Sequence, residues 1–393
     1  MILGKNIGNV FSEGREIQRV FSYGRLVWEK NRIDYNTTAF TVVALDDTVV
    51  VEPYYARKQG TSYETIGDFK YSINGSEWQE SYGNGIQIKR NDTVNIISSD
   101  IWYCKITGLC DISGNIMSLI YGDDFVGQTV YPELPNGYYR MGFFQDCDIR
   151  NAANLVLPAT TLTFECYAGM FRNCTSLTHA PKILPATTLT TYCYVGMFRN
   201  CTSLTAPPKI SAVTLDMYCC QRMFQNCTSL TTAPELPAIR TADECYAHMF
   251  LNCSSLTSAP ALPATSLGQA CYADMFGGCT SLTTAPALPV KTLNYNCYSQ
   301  MFRGCTSLTA APELPATTLV YNCYAYMFEG CSNLNYLKCK ATKYDTSAES
   351  YTECVNGWLS GVSPTGTFVG YRIGGESPLK DHIPSTWTVE YLN

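Results

Sequence analysis

Charge is scarce in this chain. Asp, Glu, Lys and Arg make up 15% of its 393 residues, against roughly a quarter in ordinary soluble domains. The net charge is −6 and no basic stripe runs through the sequence, which argues against nucleic acid as a partner. Histidine is rarer still, with His179, His248 and His382 alone. No apolar run approaches the ~20 residues of a membrane span, so no membrane insertion is expected. The opening stretch, Met1 to Val10, has neither an apolar core nor a small-residue cleavage site, and the chain is read as lacking a secretion signal. No C-x-x-C pair occurs, which removes the common zinc-ligand spacing. The acidic pairs Asp46-Asp47, Asp123-Asp124 and Asp146/Asp148 lack the spacing of a calcium loop and read as turn residues. Nothing marks a catalytic, cofactor-binding or metal-ligating residue, so an enzyme is not expected.

What the chain has in abundance is repetition. Met-Phe pairs fall at Met170-Phe171, Met197-Phe198, Met223-Phe224, Met249-Phe250, Met275-Phe276, Met301-Phe302 and Met327-Phe328. The first step is 27 residues and the next five are 26. A degenerate earlier copy ends at Phe143-Phe144 and Cys147. A fixed period in this range signals a stacked-repeat solenoid. Cys, Met and Cys at i, i+4 and i+8, as in Cys271, Met275 and Cys279, read as one face of a short helix. The Leu that follows (Leu177 in the first copy, Leu334 in the last) begins an extended stretch, and a Pro such as Pro181 or Pro234 should end it, having no N–H for a ladder. The expected class is therefore α+β: a solenoid of about seven 26-residue repeats.

Fourteen of the 20 Cys flank the repeat Met at four residues on either side. Two Cys eight apart on a helix are ~12 Å apart along its axis, too far for a disulfide. Reduced, buried thiols acting as small hydrophobes are favoured; bonds between stacked repeats are the alternative. Asn173, Asn200, Asn226 and Asn252 sit in glycosylation-like sequons, yet the same position becomes Gly278, Gly304 and Gly330. Asn and Gly share a tolerance for left-handed backbone at a helix end, which explains the alternation better.

Four units follow. Residues 1–30 hold a tandem copy, Val10-Phe-Ser-Glu-Gly-Arg-Glu-Ile17 and Val20-Phe-Ser-Tyr-Gly-Arg-Leu-Val27, read as an N-terminal β-hairpin anchoring segment that docks on the next domain or on a partner. Residues 31–125 read as a β-sandwich-like domain, with Asn74-Gly75 as a hairpin signal. Residues 126–340 are the repeats, and residues 341–393 form a C-terminal cap.

Positions the repeat leaves variable are the natural ligand contacts. They are His179, Thr232, Ser258 and Thr284, two after the strand Leu; Lys182, Glu235 and Glu313, after the Pro; and Tyr192, Tyr295 and Tyr321, ahead of the first Cys. Exposed Tyr beside Asn suits sugar or protein contact. Glu235 and Glu313 lie three repeats apart, ~15 Å at strand-like spacing, too far for a glycosidase pair.

The run M-F-x-x-C-T-S-L-T-x-A-P-x-L-P-A-T-T-L resembles the BspA-like leucine-rich repeats of Bacteroidetes surface proteins. Gly114 to Asp124, and the ending T-G-T-F…I-P-x-x-W-T-V, are similar to the flanks of those repeats. The segment ending G-R-L-V-W is similar to N-terminal segments of virion proteins of phages that infect Bacteroidales. These resemblances imply a leucine-rich-repeat solenoid used for adhesion or host recognition. The partners they imply are a host cell-surface glycan or protein and, through residues 1–30, other virion tail proteins; self-association is left open. The location implied is the virion, assembled in a bacterial cytoplasm. The alternatives are a bacterial cell-surface adhesin or glycan-binding protein, and, behind it, a glycan-cleaving enzyme. Cys220 in place of the repeat Tyr, Ser211–Leu215 in place of L-P-A-T-T-L, and Ile239–Thr241 without the expected Leu depart from the pattern.

Overall fold

The computed structural model describes residues 10–12, 15–17, 19–22, 25–29, 34–55, 66–99, 101–133, 142–345, 348, 350–372 and 377–392. Within 10–29, and at Tyr55 and Tyr351, the description is of the backbone alone.

The α+β leucine-rich-repeat solenoid expected from the period is overturned. Strands hold 25% of the chain and helix only 4%, in several small sheets. Among the described residues the one α-helix, Tyr351–Val355, lies outside the repeats. The error has a geometric cause. Residues four apart drift ~40° per step around an α-helix, whereas a four-residue turn brings them back without drift. Each repeat is a run of such turns. Met170, Arg172 and Cys174 donate their N–H groups three residues back, to Tyr167, Gly169 and Phe171. The residues between them donate forward to the next copy: Tyr167 to Cys193, Gly169 to Val195, Phe171 to Met197 and Asn173 to Arg199. A helix would have used every one of these donors internally.

Such turns require left-handed backbone at every fourth residue, seen at Glu165, Gly169 and Asn173 with φ of 56°, 59° and 62°. The Asn/Gly alternation follows from this. Asn200, Asn226 and Asn252 are at φ 61–63°, and Gly278, Gly304 and Gly330 at 69–73°. They sit within turns rather than at helix ends. The Asn side chains form their own column, Asn200 Nδ2 donating to Asn173 Oδ1 at 2.6 Å, Asn226 to Asn200 at 2.7 Å and Asn252 to Asn226 at 3.0 Å. A Cβ at Gly278 would collide with Asn252 Oδ1, so there the column gives way to glycine.

Coil lies on coil with little offset. From Phe171 to Phe328 successive Phe rings are 5.4–5.7 Å apart and within 7° of parallel. Tyr246, Tyr272, Tyr298 and Tyr324 stack beside them at 5.8–6.0 Å, and Cys220 is the buried gap in that column. The stretches after the repeat Leu, expected as strands, shrink in the interior coils to single bridges such as Ser258 with Thr284; Ile183–Leu184 pairs with Lys209–Ile210 beyond the Pro, and only after Leu334 does a longer strand, Tyr336–Cys339, form among the described residues.

All twenty cysteines are free and buried. The second thiol of each repeat donates to the Phe carbonyl one coil back, as Cys201 does to Phe171 at 3.0 Å and Cys253 to Phe224 at 3.1 Å. Burial pushes the Cys147, Cys271 and Cys331 thiols up to about 12, so they stay protonated, and Cys147 and Cys331 donate to backbone carbonyls.

Ahead of the coils stand two sheets. The larger has the order Ile149–Val156, Cys110–Asn115, Phe40–Ala44, Thr93–Ile97, Phe69–Ile73 and Gln79–Ser81. The smaller has the order Ile101–Thr107, Val49–Tyr55 and Ile86–Ile88. Asp46-Asp47 therefore separates strands of different sheets. Asn74-Gly75, at φ 54° and 73°, does turn a hairpin, pairing Phe69 with Ser81 and Tyr71 with Gln79. Ile149–Val156 belongs to both parts. It pairs in parallel with Cys110–Asn115, and its Ala152 receives the next coil by donating to His179 O. The core is continuous there, with Phe40 stacked on Phe144 at 5.4 Å. In the N-terminal segment, Val10–Ser12 pairs with Arg15–Ile17 and Arg19–Ser22 with Arg25–Glu29, both antiparallel.

The C-terminal segment hides one more coil. Tyr324, Tyr326, Phe328 and Gly330 donate to Cys354, Asn356, Trp358 and Ser360. Trp358 replaces the repeat Met and stacks on Tyr324 at 6.5 Å. Its Nε1 donates to His382 O. The parallel strands Tyr336–Cys339, Thr367–Tyr371 and Thr388–Leu392 close that end.

Replacing a stacked, fully buried ring should cost ~3–5 kcal/mol. Phe250→Ala is therefore expected to lower the urea midpoint sharply, while Phe164→Ala, on an exposed ring, should move it little. Thiol titration of the native protein should detect almost no reactive cysteine, and full reactivity should appear only across the unfolding transition.

Candidate functional site

Stacking converts each position of the repeat into a column, so side chains 26 residues apart in sequence become neighbours. The position two after the repeat Leu forms one such column. Asn151 bridges to His179, His179 to Ala206, Ser258 to Thr284 and Ala310 to Tyr336. The expected contacts His179, Thr232, Ser258 and Thr284 are all exposed along it. His179 Nδ1 lies 2.9 Å from the Thr178 hydroxyl. Beside this column runs a threonine row whose hydroxyls donate to the preceding coil, as Thr257 does to Thr231 O and Thr283 to Thr257 O. That row is uncharged because its polar groups serve the stack.

The column after the Pro contains Lys182, Glu235 and Glu313, all exposed. Lys182 Nζ reaches Asn154 Oδ1 at 3.3 Å. Glu313 is already engaged: Lys338, in the strand that follows the last Met-Phe repeat, and Lys340, just past its end, hold it at 2.8 and 2.5 Å. Hydrogen bonds from those two lysines pull its carboxyl down to about 2. Glu313 thus ties its coil to the closing strand, and its carboxylate is already paired with two cations.

The tyrosines resolve into two adjacent columns. Tyr295 and Tyr321 are 44% and 42% exposed, and share their column with Phe164 at 56% and Met217 at 40%. Tyr192 belongs to the next column, in left-handed backbone at φ 60°, and stacks on Tyr218 at 4.7 Å. Phe164 meets Tyr192 edge-on at 5.7 Å. A cluster of Phe164, Tyr192, Met217 and Tyr218 therefore covers the first coils, and Tyr295 with Tyr321 lies further along the stack. Phe164, Met217 and Tyr218 were visible to sequence reading as variable residues before the first Cys. Their contact was not, because it depends on exact stacking.

Two polar groupings escaped the sequence. Asp274 is buried and receives His248 Nδ1 at 3.3 Å and Arg303 at 3.7 Å; its Oδ1 has no hydrogen-bond partner. A side chain at Gly277 would collide with that oxygen, which accounts for the glycine. In the N-terminal sheets a cavity of about 410 Å³ is lined by Asp68, Lys70, Glu80, Tyr82, Asp123 and Ser98 among others. Lys70 and Asp123 pair across it at 3.0 Å. Among the described residues no group of three or more His, Cys, Asp or Glu is placed to hold a metal, and no helix is long and apolar enough to cross a membrane.

Compared with known proteins, the chain matches no family model, no curated protein and no solved structure.

The Glu313 clamp gives a pH dependence of definite sign. Its carboxyl titrates lower in the folded chain than in the unfolded one, so its contribution is fully present above ~4.3 and is lost as pH falls toward about 2. The stability difference between wild type and Glu313→Gln, read from urea midpoints, should be present at pH 7 and shrink steadily from pH 5 to pH 2.

Proposed function

We propose that this chain is a tail-associated host-recognition protein of a phage virion, which binds a host cell-surface glycan or protein through the outer columns of its stacked coils. The observation that carries the reading is the exposed aromatic and apolar side chains that recur in the column two before the first Cys, with Thr191, Asp243 and Gln269 between them. Phe164, Met217, Tyr295 and Tyr321 stay in water on a frame that buries every repeat Met and Phe. Rings held by a rigid backbone offer contact area at low entropic cost, and sugar rings and peptide backbones both pack well on them. The uncharged polar column of Thr232, Ser258 and Thr284 supplies hydrogen-bond partners without a strong field, which suits a neutral polysaccharide better than a charged polymer. Twenty unoxidised thiols fit assembly in a reducing cytoplasm. The two hairpins within residues 10–29 are the segment through which the protein would be held by other tail proteins.

Purified full-length protein should bind intact Bacteroidales cells, and capsule removal should change that binding. Tyr295→Ala combined with Tyr321→Ala should weaken it about tenfold or more, the scale of aromatic anchor residues, without shifting the unfolding midpoint. Equal binding by that double variant would sink the aromatic-column reading. Particles that still incorporate a chain lacking residues 1–30 would remove the anchoring role.

A further inference from the structure

On the first coils lies a half-open cavity of about 230 Å³ whose walls include Gly169, Gly196, Arg172, Arg199 and Arg222. The sequence builds it through one turn position. The residue before the repeat Met takes left-handed backbone, and it is Gly169, Gly196 and then Arg222 in successive coils. A Cβ at Gly169 would lie 3.7 Å from Arg172 Cβ and 3.9 Å from its Cδ, and Gly196 stands likewise to Arg199 at 3.7 and 4.0 Å. Each arginine stem therefore lies back over a bare glycine. Arg172 and Arg199 hold equivalent positions in neighbouring coils, and Arg222 projects from the glycine position one coil further on.

No acid among the described residues forms an ion pair with these three cations. Among the described residues the arginines in ion pairs are Arg90, Arg150 and Arg303. Asp146, in the turn that also contributes Gln145 to the cavity wall, is already taken by Asn173 Nδ2 and Gln145 Nε2. The Nε atoms of Arg172 and Arg199 are buried with no hydrogen-bond partner. Burial, reinforced by the charges of Arg172 and Arg222, pushes the Arg199 guanidinium down from its ordinary value. Leaving those two Nε donors buried without acceptors is costly, and three like charges around one small cavity add to the cost.

We propose that this cavity is an oxyanion site that takes one phosphate or sulfate group between the three guanidiniums. Guanidinium forks match the oxygens of such a group, and each charge-assisted bond is stronger than a neutral one. A volume below that of ordinary drug-sized pockets fits a single anionic group together with the atom that carries it. The site stands apart from the aromatic columns and does not depend on what they bind.

The test is calorimetric titration of the full-length protein with inorganic phosphate, inorganic sulfate and their methyl monoesters, at constant ionic strength set by sodium chloride. Saturable binding is expected, with a rise in melting temperature as the anion is added. Arg199→Gln and, separately, the more exposed Arg222→Gln should each weaken binding about tenfold or more. Arg303→Gln, on the distant coil of Asp274, should leave it unchanged. Tighter binding of the monoesters would place the anion on a larger ligand, and tighter binding of the free ions would make the free anion the occupant; both support the site. It is overturned if neither ion nor ester saturates, if chloride reproduces the effect, or if the folded Arg222→Gln variant binds as the wild type does. Anion binding without cell binding would leave this site standing and remove the host-surface reading instead.

Discussion

The division of backbone donors governs this protein. In each coil alternate N–H groups close turns locally, and those between them reach the following coil. One set fixes the shape of a coil and the other fixes its neighbour. Neither suffices alone, because a four-residue turn buries almost nothing and a stack without turns has no repeating shape. Everything else in the coils conforms to this alternation. The left-handed positions, the inward-facing Met and Phe, and the thiols that meet Phe carbonyls all follow from a four-residue rhythm rather than a helical one.

That rhythm decides what could be read in advance. The burial of Met249, Phe250, Cys253 and Leu256 was legible, since invariance across copies of one chain marks the inside. So was the backbone role of Asn252 and Gly278. The helix was not, because Cys, Met and Cys at four-residue intervals satisfy a helical face and a turn series almost equally. The discriminating sign lay in the variable residues: Glu165, Gly169 and Asn173 also recur every four, and a helix has no use for a second phase of that kind. The final coil at Cys354, Trp358 and Leu359 was hidden for another reason. It begins 31 residues after Cys323 and substitutes Trp-Leu for Met-Phe, so only its hydrogen bonds reveal it.

The candidate surface was partly legible on the same grounds. His179, Thr232, Ser258 and Thr284 were chosen because they vary, and varying positions lie outside. Glu313 also varies, yet its partners come from Lys338 and Lys340, beyond the region where the period operates, and no spacing announces them. In the arginine cavity Arg222 meets the like pair Arg172 and Arg199 from another position of the turn, and in the Asp274 grouping Arg303 meets the like pair His248 and Asp274 in the same way. Comparison of like positions cannot find such meetings.

The uniform stacking has a consequence for length. From Phe144 to Phe328 there are seven ring-to-ring steps of 5.4–5.7 Å, about 40 Å along the column. Each interior coil meets its neighbours through nearly the same contacts, while the two ends are closed by dissimilar structures, the shared strand Ile149–Val156 and the Trp358 coil. Recombination between such similar coding units would add or remove whole coils and leave both closures intact. Reach is then a quantity this architecture can change in steps of one coil, independently of the chemistry carried on its surface.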